Sequence, residues 1–211
     1  EADTDKYNNH ITAADWENCD NVSKDGKFVA GETTFGDLTI NHNANDRLFS
    51  ASGKNYGSNA LATTAYDDGY TAGGMYYCNG TGGEGRRYIA INNVEAGDKI
   101  VVYMASSNAA NGTLLFKYLG EDNEQVEKAS FTNKGTKYEF VAKYSGSYKV
   151  YTDAAAGKPI YNRIVRIPGV AVSGTIDGAQ LSGYKVMFKD EANGITYDAD
   201  IKGNTFTDTL A

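Results

Sequence analysis

Between residues 56 and 87 the chain carries a high density of side chains suited to binding a sugar. Sugar rings present C–H faces that stack on aromatic rings, and their hydroxyl groups need amide, carboxylate and guanidinium partners. A sugar site therefore needs both kinds of side chain together, and this segment supplies both. The predicted binding residues are Tyr56, Tyr66, Asp68, Tyr70, Tyr76, Tyr77, Asn79 and Arg86, with Trp16 added from outside the segment.

Each of these aromatic residues also has a structural interpretation. A tyrosine in a strand more often packs against its neighbours, with its hydroxyl at the rim of the core, than it contacts a ligand. Tyr76 and Tyr77 are adjacent, so in an extended strand they point to opposite faces and one of them faces outward. Trp16, the only tryptophan, is either a core anchor or an exposed platform.

The glycine-rich stretch before residue 87 has the spacing of a phosphate-binding loop. Gly80, Gly82 and Gly85 match G-x-G-x-x-G, but that motif binds phosphate only where it follows a strand and opens a helix. Here a strand-like segment, 87–91, follows, and Glu84 lies inside the loop. We therefore expect a hairpin turn and no nucleotide site.

No set of residues in the sequence predicts catalysis, so we expect a non-enzymatic protein. The only histidines are His10 and His42, and no Gly-x-Ser-x-Gly elbow accompanies the many carboxylates. Cys19 and Cys78 are too few for a zinc site or a disulfide framework, and either one bridge or two buried thiols fits them. We predict no cofactor, although a structural calcium ion held by loop oxygens is compatible with the fold predicted below.

Net charge and hydropathy limit the kinds of partner that the protein can bind. The formal net charge is −7 and the isoelectric point is about 4.9, so a nucleic acid would meet a repulsive field. No apolar run approaches the roughly 20 residues that cross a bilayer, so we expect no membrane insertion. Few cysteines with many Tyr, Asn, Gly and Thr residues are common in secreted bacterial surface proteins, which predicts a secreted or cell-surface location.

The elements that must position these side chains are strands. The chain has 24 glycines, 16 tyrosines and two prolines, and short alternating segments recur about every ten residues between polar turns. This predicts an all-β protein, an antiparallel, jelly-roll-like β-sandwich with a small C-terminal β-subdomain. Pro168-Gly169 divides a sandwich at 1–168 from 169–211, which is a small β-subdomain or a truncated immunoglobulin-like or transthyretin-like repeat. A short helix is expected at Thr12–Trp16.

The strand segments resemble a known family of modules. They resemble the β-sandwich modules appended to secreted pectate lyases, pectin esterases and other polysaccharide-degrading proteins of anaerobic bacteria. The resemblance runs from about Gly36 to Ile167 and implies non-catalytic carbohydrate binding, with Arg87 and Arg163 as structural residues. The segments that carry it are 87–91, 97–103, 105–108, 113–116, 146–151 and 161–164.

The tail resembles the opening half of a transthyretin-like or collagen-adhesin B-type repeat, from Val172 to Leu210. Such repeats serve as stalks or spacers, which implies a partner role for other domains of a larger surface protein. In composition and two-part layout the chain is also similar to starch-adherence proteins. Pectin is acidic, and Arg86-Arg87 is the one obvious basic pair, with Lys54 a loose third. The expected ligand is therefore a polysaccharide or oligosaccharide, with α-glucan (starch) ahead of pectin and a surface adhesion or spacer role as the alternative.

Overall fold

The computed structural model describes residues 31–42, 48–49, 64–72, 75–78, 80, 82–107, 111–153, 158–176, 183–190 and 195–210. The helix predicted at 12–16 lies outside these residues. The strands are β1 Glu32–Phe35, β2 Leu38–Asn41, β3 Leu48–Phe49, β4 Tyr76–Cys78, β5 Ile89–Val94, β6 Lys99–Ser106, β7 Gly112–Tyr118, β8 Val126–Phe131, β9 Thr136–Val141, β10 Gly146–Thr152, β11 Pro159–Ile167, β12 Val170–Thr175, β13 Met187–Asp190, β14 Ile195–Asp198, β15 Asp200–Lys202 and β16 Thr205–Leu210.

Two antiparallel sheets form a β-sandwich. One has six strands in the order β1-β2-β5-β10-β7-β8, and the other has five in the order β3-β4-β11-β6-β9. Between β4 and β11 every connection except the β7–β8 hairpin passes from one sheet to the other, as in a jelly roll. The predicted all-β, antiparallel sandwich is confirmed.

The main core lies between the two sheets. Phe116 stacks at 4.9 Å on Phe140 of the facing sheet and at 4.5 Å on Tyr148 of its own sheet. The alternation in β5, β7, β9 and β10 comes from this arrangement, since every second side chain enters the core. Burial of apolar area of this kind is the main stabilising contribution to folding.

Strand β6 is buried on both faces. Ile100, Val102 and Met104 enter the main core, whereas Val101 and Tyr103 belong to a second buried cluster on the outer face of the five-stranded sheet. In the sequence, the apolar segment 99–105 predicts a strand buried on both faces, and the burial of residues 100–105 confirms this. The outer cluster marks the place where a loop covers the sheet.

The C-terminal strands form sheets of their own. Strands β12, β16 and β15 make a three-stranded sheet, and β13 pairs with β14. The Phe188 and Phe206 rings are 5.7 Å apart, but none of the described side chains beyond Tyr161 is fully buried. The boundary at residues 168 and 169 stays a prediction.

A buried carboxylate joins these strands to the sandwich. Asp98, in the turn between β5 and β6, accepts hydrogen bonds from Arg166 Nε at 2.6 Å and from the Gly169 backbone at 3.2 Å. The Asp98 and Arg166 side chains are 2% and 8% exposed. An ion pair this buried is costly to break on one side only, so it fixes Asp98 in place, and the hydrogen bond from Gly169 then holds the start of the C-terminal region against the sandwich. No helix long and apolar enough to span a bilayer occurs among the described residues.

Candidate functional site

A loop of residues 64–72 lies on the outer face of the five-stranded sheet. It closes on itself through a bridge between Ala65 and Thr71, and the Tyr66 backbone N–H donates to the Tyr70 carbonyl at 2.8 Å. Gly69 has φ 87°, a left-handed conformation that glycine adopts without strain. The Asp68 side chain accepts from the Tyr70 N–H at 3.1 Å. The sequence Tyr-Asp-Asp-Gly-Tyr therefore makes a tight turn that sets its two tyrosines side by side.

The two loop tyrosines form a ring cluster with Tyr103 of β6. Tyr66 stacks on Tyr70 at 5.6 Å and meets Tyr103 edge to face at 5.0 Å. Tyr70 and Tyr103 are 4.9 Å apart. These are the favoured geometries of aromatic pairs. The cluster fixes the loop on the sheet, because Tyr66 itself is only 5% exposed.

A β-bulge in β11 places two consecutive side chains beside this cluster. Tyr161 pairs with Met104 and Arg163 pairs with Tyr103, so Asn162 is the extra residue between them. Tyr161 and Ile164 face the main core, and the two residues between them both lie outside. Bulges change the direction of side chains in this way and are frequent beside binding and active sites.

Asn162 and Arg163 both contact the tyrosines. The Asn162 side-chain oxygen accepts from the Tyr66 hydroxyl at 2.6 Å, and its backbone carbonyl accepts from the Tyr70 hydroxyl at 3.4 Å. The exposed Arg163 guanidinium carbon lies 4.8 Å from the Tyr70 ring centre and 5.6 Å from that of Tyr103. We call this area the Tyr70–Arg163 surface. It comprises Tyr66, Asp67, Asp68, Tyr70, Lys99, Tyr103, Lys134, Lys137, Glu139, Asn162 and Arg163.

Charged groups surround the rings of the Tyr70–Arg163 surface. Asp68 accepts from the Tyr103 hydroxyl at 2.7 Å and lies 3.8 Å from the Lys137 ammonium. The Tyr103 hydrogen bond is the largest cause that holds the pKa of Asp68 below its usual value. Burial raises the pKa values of Tyr66, Tyr70 and Tyr103, so these phenols stay protonated as hydrogen-bond donors.

The structure brings together only part of the predicted site. Tyr66, Asp68 and Tyr70 lie together, but only Asp68 and Tyr70 are accessible; Tyr66 is 5% exposed and supports the Tyr70 ring instead of offering a face to a ligand. Tyr77 lies farther along the same sheet, half-buried, with its hydroxyl 3.4 Å from the Ser107 hydroxyl. Trp16, Tyr56 and Asn79 lie outside the described residues, so their predicted roles stay predictions.

The structure corrects the prediction for Tyr76. Its ring is 5% exposed and packs in the main core 6.0 Å from the Tyr161 ring, so it offers no face to a ligand. The alternation of β4 places Tyr76 and Cys78 on the core side and Tyr77 on the other. Cys78 is fully buried. Cys19 lies outside the described residues, so a bridge between the cysteines stays a prediction.

The glycine-rich stretch is a crossover, not the hairpin turn that we predicted. It follows β4 of the five-stranded sheet and leads to β5 of the six-stranded sheet. The Gly82 N–H donates to the Thr152 hydroxyl at 3.1 Å, and a β-carbon at Gly82 would lie 2.7 Å from that oxygen. Glycine is required here because the loop passes so close to β10.

Residues 82–87 form an ion-paired loop beside the six-stranded sheet. Lys117 donates to the Glu84 carboxylate at 2.6 Å, and Lys149 donates to the Glu84 carbonyl at 3.2 Å. Lys149 also lies 4.0 Å above the Tyr88 ring. Burial, and then the hydrogen bond to Glu32, raise the pKa of Tyr88 to about 12. Arg86 is exposed in this loop, across the sandwich from the Tyr70–Arg163 surface.

Sequence reasoning missed most residues of the site. Tyr103 and Asn162 appeared only within the strand segments 97–103 and 161–164, and Arg163 was expected to be structural, whereas its side chain is exposed. The bulge that exposes Arg163 has no glycine or proline to reveal it. The Tyr-Asn-Arg sequence between two apolar residues was the only signal, since it breaks the alternation of β11.

Two further observations limit the chemistry. Within the described residues, no group of three or more His, Cys, Asp or Glu side chains could hold a metal ion. Comparisons with protein-family models and with curated proteins find no match to the chain. The function proposed below therefore depends on the geometry and on the sequence pattern.

Proposed function

We propose that the protein is a non-catalytic carbohydrate-binding module of a secreted or cell-surface bacterial protein and that it binds a plant polysaccharide. The observation that carries the proposal is the Tyr70–Arg163 surface, where exposed charged groups surround the half-buried Tyr70 ring on the outer face of the five-stranded sheet. A sugar can use such a surface without being enclosed. The accessible part of Tyr70 supplies a small apolar area, and the charged groups supply hydrogen bonds.

The polar groups match what a sugar offers. Sugar hydroxyls both donate and accept hydrogen bonds. Arg163 and Lys137 can only donate, and the carboxylates of Asp67 and Glu139 can only accept. All four side chains are exposed. Donors and acceptors at the rim of an aromatic cluster support binding of a hydroxyl-rich ligand.

The same charges favour binding over hydrolysis. A carboxyl group that acts as a general acid near neutral pH needs a raised pKa. The pKa of Asp68 is held below its usual value by the Tyr103 hydroxyl, and Glu139 is paired with Lys137 at 3.0 Å. A carboxylate such as that of Asp68, kept ionised by its partner, is suited to hold a ligand rather than to transfer a proton to it.

Starch and pectin are the first polysaccharides to test. The experiment is affinity gel electrophoresis in starch, pectin and xylan, with wild type and two lysine variants. Lys137→Ala removes a cation of the proposed surface, and Lys117→Ala removes a comparable paired cation from the opposite sheet. We expect retardation of the wild type in at least one gel, weakened several-fold by Lys137→Ala and unchanged by Lys117→Ala.

Three results would contradict the proposal. Unchanged mobility of the wild type in all three gels would contradict carbohydrate binding. A loss of retardation with Lys117→Ala but not with Lys137→Ala would place binding on the other sheet. Reducing sugar released from any of the polysaccharides would contradict a non-catalytic role.

An adhesion or spacer role is the second candidate. Val170, Tyr184 and Met187 in the C-terminal region are 63%, 71% and 59% exposed, and exposed apolar side chains favour contact with another protein. Burial of every tyrosine between 56 and 77 would also favour this role, but the Tyr70 and Tyr77 side chains are only half-buried. If the wild type binds none of the three polysaccharides, an adhesion or spacer role becomes the favoured function.

A further inference from the structure

Arg163 differs from the other cations of the Tyr70–Arg163 surface. Lys134 lies 3.2 Å from Asp67, Lys137 lies 3.0 Å from Glu139, and Lys99 lies 3.8 Å from Glu139. The Arg163 guanidinium has no ion pair or hydrogen bond with any described residue. Its electrostatic contacts with the described residues are cation–π contacts with the Tyr70 and Tyr103 rings. Its N–H donors are therefore open to a ligand.

The charge balance of the surface also favours an anionic ligand at Arg163. Its four cations are Lys99, Lys134, Lys137 and Arg163, and its carboxylates are those of Asp67, Asp68 and Glu139. One positive charge is left over among the described residues of the surface, and it sits on Arg163, which has no carboxylate partner among them. The chain as a whole carries −7, but at physiological salt charges are screened over about 8 Å, so the nearest groups decide the contact.

The two rings prepare Arg163 for binding. A guanidinium lying over aromatic rings is restricted in orientation, so less conformational entropy is lost when a ligand binds. Its planar fork of N–H groups matches the two oxygens of a carboxylate. The same packing disfavours a neutral sugar that depends on stacking, because Tyr66 at 5.6 Å and Arg163 at 4.8 Å leave little of the Tyr70 ring open.

We infer that Arg163 binds a carboxylate of the ligand, so that the polysaccharide taken by this surface is an acidic glycan with uronic acid units. This inference rests on the proposed carbohydrate-binding function and changes the expected order of ligands, because it moves pectin-type chains ahead of starch. The residue-level evidence for starch was the scarcity of basic groups between residues 56 and 87, and Arg163 lies outside that segment. Asn162 acts with it as a positioning residue, since its backbone carbonyl holds Tyr70, which lies under the guanidinium, and its side chain holds Tyr66, on which Tyr70 stacks.

The test compares three probes in affinity electrophoresis, namely polygalacturonate, its fully methyl-esterified form and starch. The variants are Arg163→Gln, Arg163→Lys and the matched control Lys149→Gln, which removes a cation lying over a tyrosine ring on the opposite sheet. We expect polygalacturonate to bind best and Arg163→Gln to weaken it about tenfold or more, as expected for a charged hydrogen bond. Arg163→Lys should be intermediate and Lys149→Gln unchanged.

The possible failures are distinguishable. If starch or the methyl ester binds as tightly as polygalacturonate and Arg163→Gln has no effect, the inference is overturned while carbohydrate binding stands. If none of the probes, nor xylan, binds the wild type, both the inference and the proposed function are overturned. Arg163 is exposed, so the variants should fold, and unchanged thermal unfolding by circular dichroism is the check.

Discussion

Two loops lie against the two outer faces of the sandwich, and they are held there by different forces. The loop of residues 64–72 packs through tyrosine rings, with Tyr66 5% exposed against Tyr103. The loop of residues 82–87 is held by polar contacts, chiefly the ion pair between Glu84 and Lys117, whose side chains are 54% and 29% exposed. Both loops are short and rich in turn residues, yet one forms part of the fold and the other lies on its surface.

The difference shows what each kind of contact can do. Burial of a ring stabilises the fold in proportion to the apolar area removed from water. Each tyrosine hydroxyl of the cluster also has a hydrogen-bond partner. An exposed ion pair gains little, because water and salt screen it and two long side chains lose freedom. The first loop can therefore hold a ligand surface in place, while the second mainly closes the chain between two sheets.

The largest effect is expected at the buried ring. Tyr66→Ala removes its packing on Tyr70 and Tyr103 and its hydrogen bond to Asn162, so we expect a loss of about 3–5 kcal/mol in the free energy of unfolding. Tyr66→Phe, which keeps the ring, should lose about 1 kcal/mol. Urea denaturation measures both. Equal losses for the two variants would mean that the hydroxyl, not the ring, holds the loop.

A smaller effect is expected at Arg163. Arg163→Gln removes a cation lying over the Tyr70 and Tyr103 rings, and an exposed contact of this kind contributes about 0.5–1 kcal/mol. Urea denaturation should show a loss in that range. A loss comparable with that of Tyr66→Ala would assign Arg163 to the scaffold and weaken its assignment as a ligand contact.

The ion-paired loop should respond less still. Glu84→Gln breaks the pair with Lys117, and because the pair is largely exposed we expect a loss of about 0.5 kcal/mol or less in free energy of unfolding. The loss should disappear in roughly 1 M salt, where screening acts within about 3 Å. Denaturation at low and high salt tests this, and a loss that persists in high salt would contradict the comparison.

The last prediction concerns pH. The Tyr103 hydroxyl lowers the pKa of Asp68, so Tyr103→Phe should raise it, as measured by carboxyl NMR titration. A lowered folded pKa contributes stability that is fully present above the unfolded value of about 3.9 and is lost as pH falls through the folded pKa. The acid side of the stability profile should therefore flatten in Tyr103→Phe. An unchanged Asp68 pKa would mean that the turn N–H or Lys137 sets it instead.

Much of the fold follows from local pattern. The segment 87–91 indicated a strand, and the continuous apolar run in β6 indicated burial on both faces, which the second cluster around Tyr103 explains. The glycine-rich loop was assigned to a turn between strands but with the wrong topology. A loop's sequence does not reveal whether its flanking strands pair with each other or lie in different sheets.

The candidate site was predictable only in part. Tyr66, Asp68 and Tyr70 were identified because a tight turn brings neighbours in sequence together. Asn162 was not, because its contact with Tyr66 joins residues 96 positions apart. No local sequence pattern predicts a contact over that separation. The bulge at Asn162 likewise depends on a register shift between β11 and β6.

The adjacent residues Tyr76 and Tyr77 show the limit of what the local sequence determines. The amino-acid sequence alone required that one of the two rings face outward, since successive side chains in a strand alternate. Which of them does so depends on which face of β4 packs against the other sheet, and that face belongs to Tyr76 and Cys78. Likewise the sequence specified a guanidinium at position 163, but only the pairing of β11 with β6 and the docking of residues 64–72 left it over two rings, without a carboxylate partner in the part of the chain that the structure describes. Periodicity is a property of neighbouring residues, whereas burial and charge balance depend on segments brought together from distant parts of the chain.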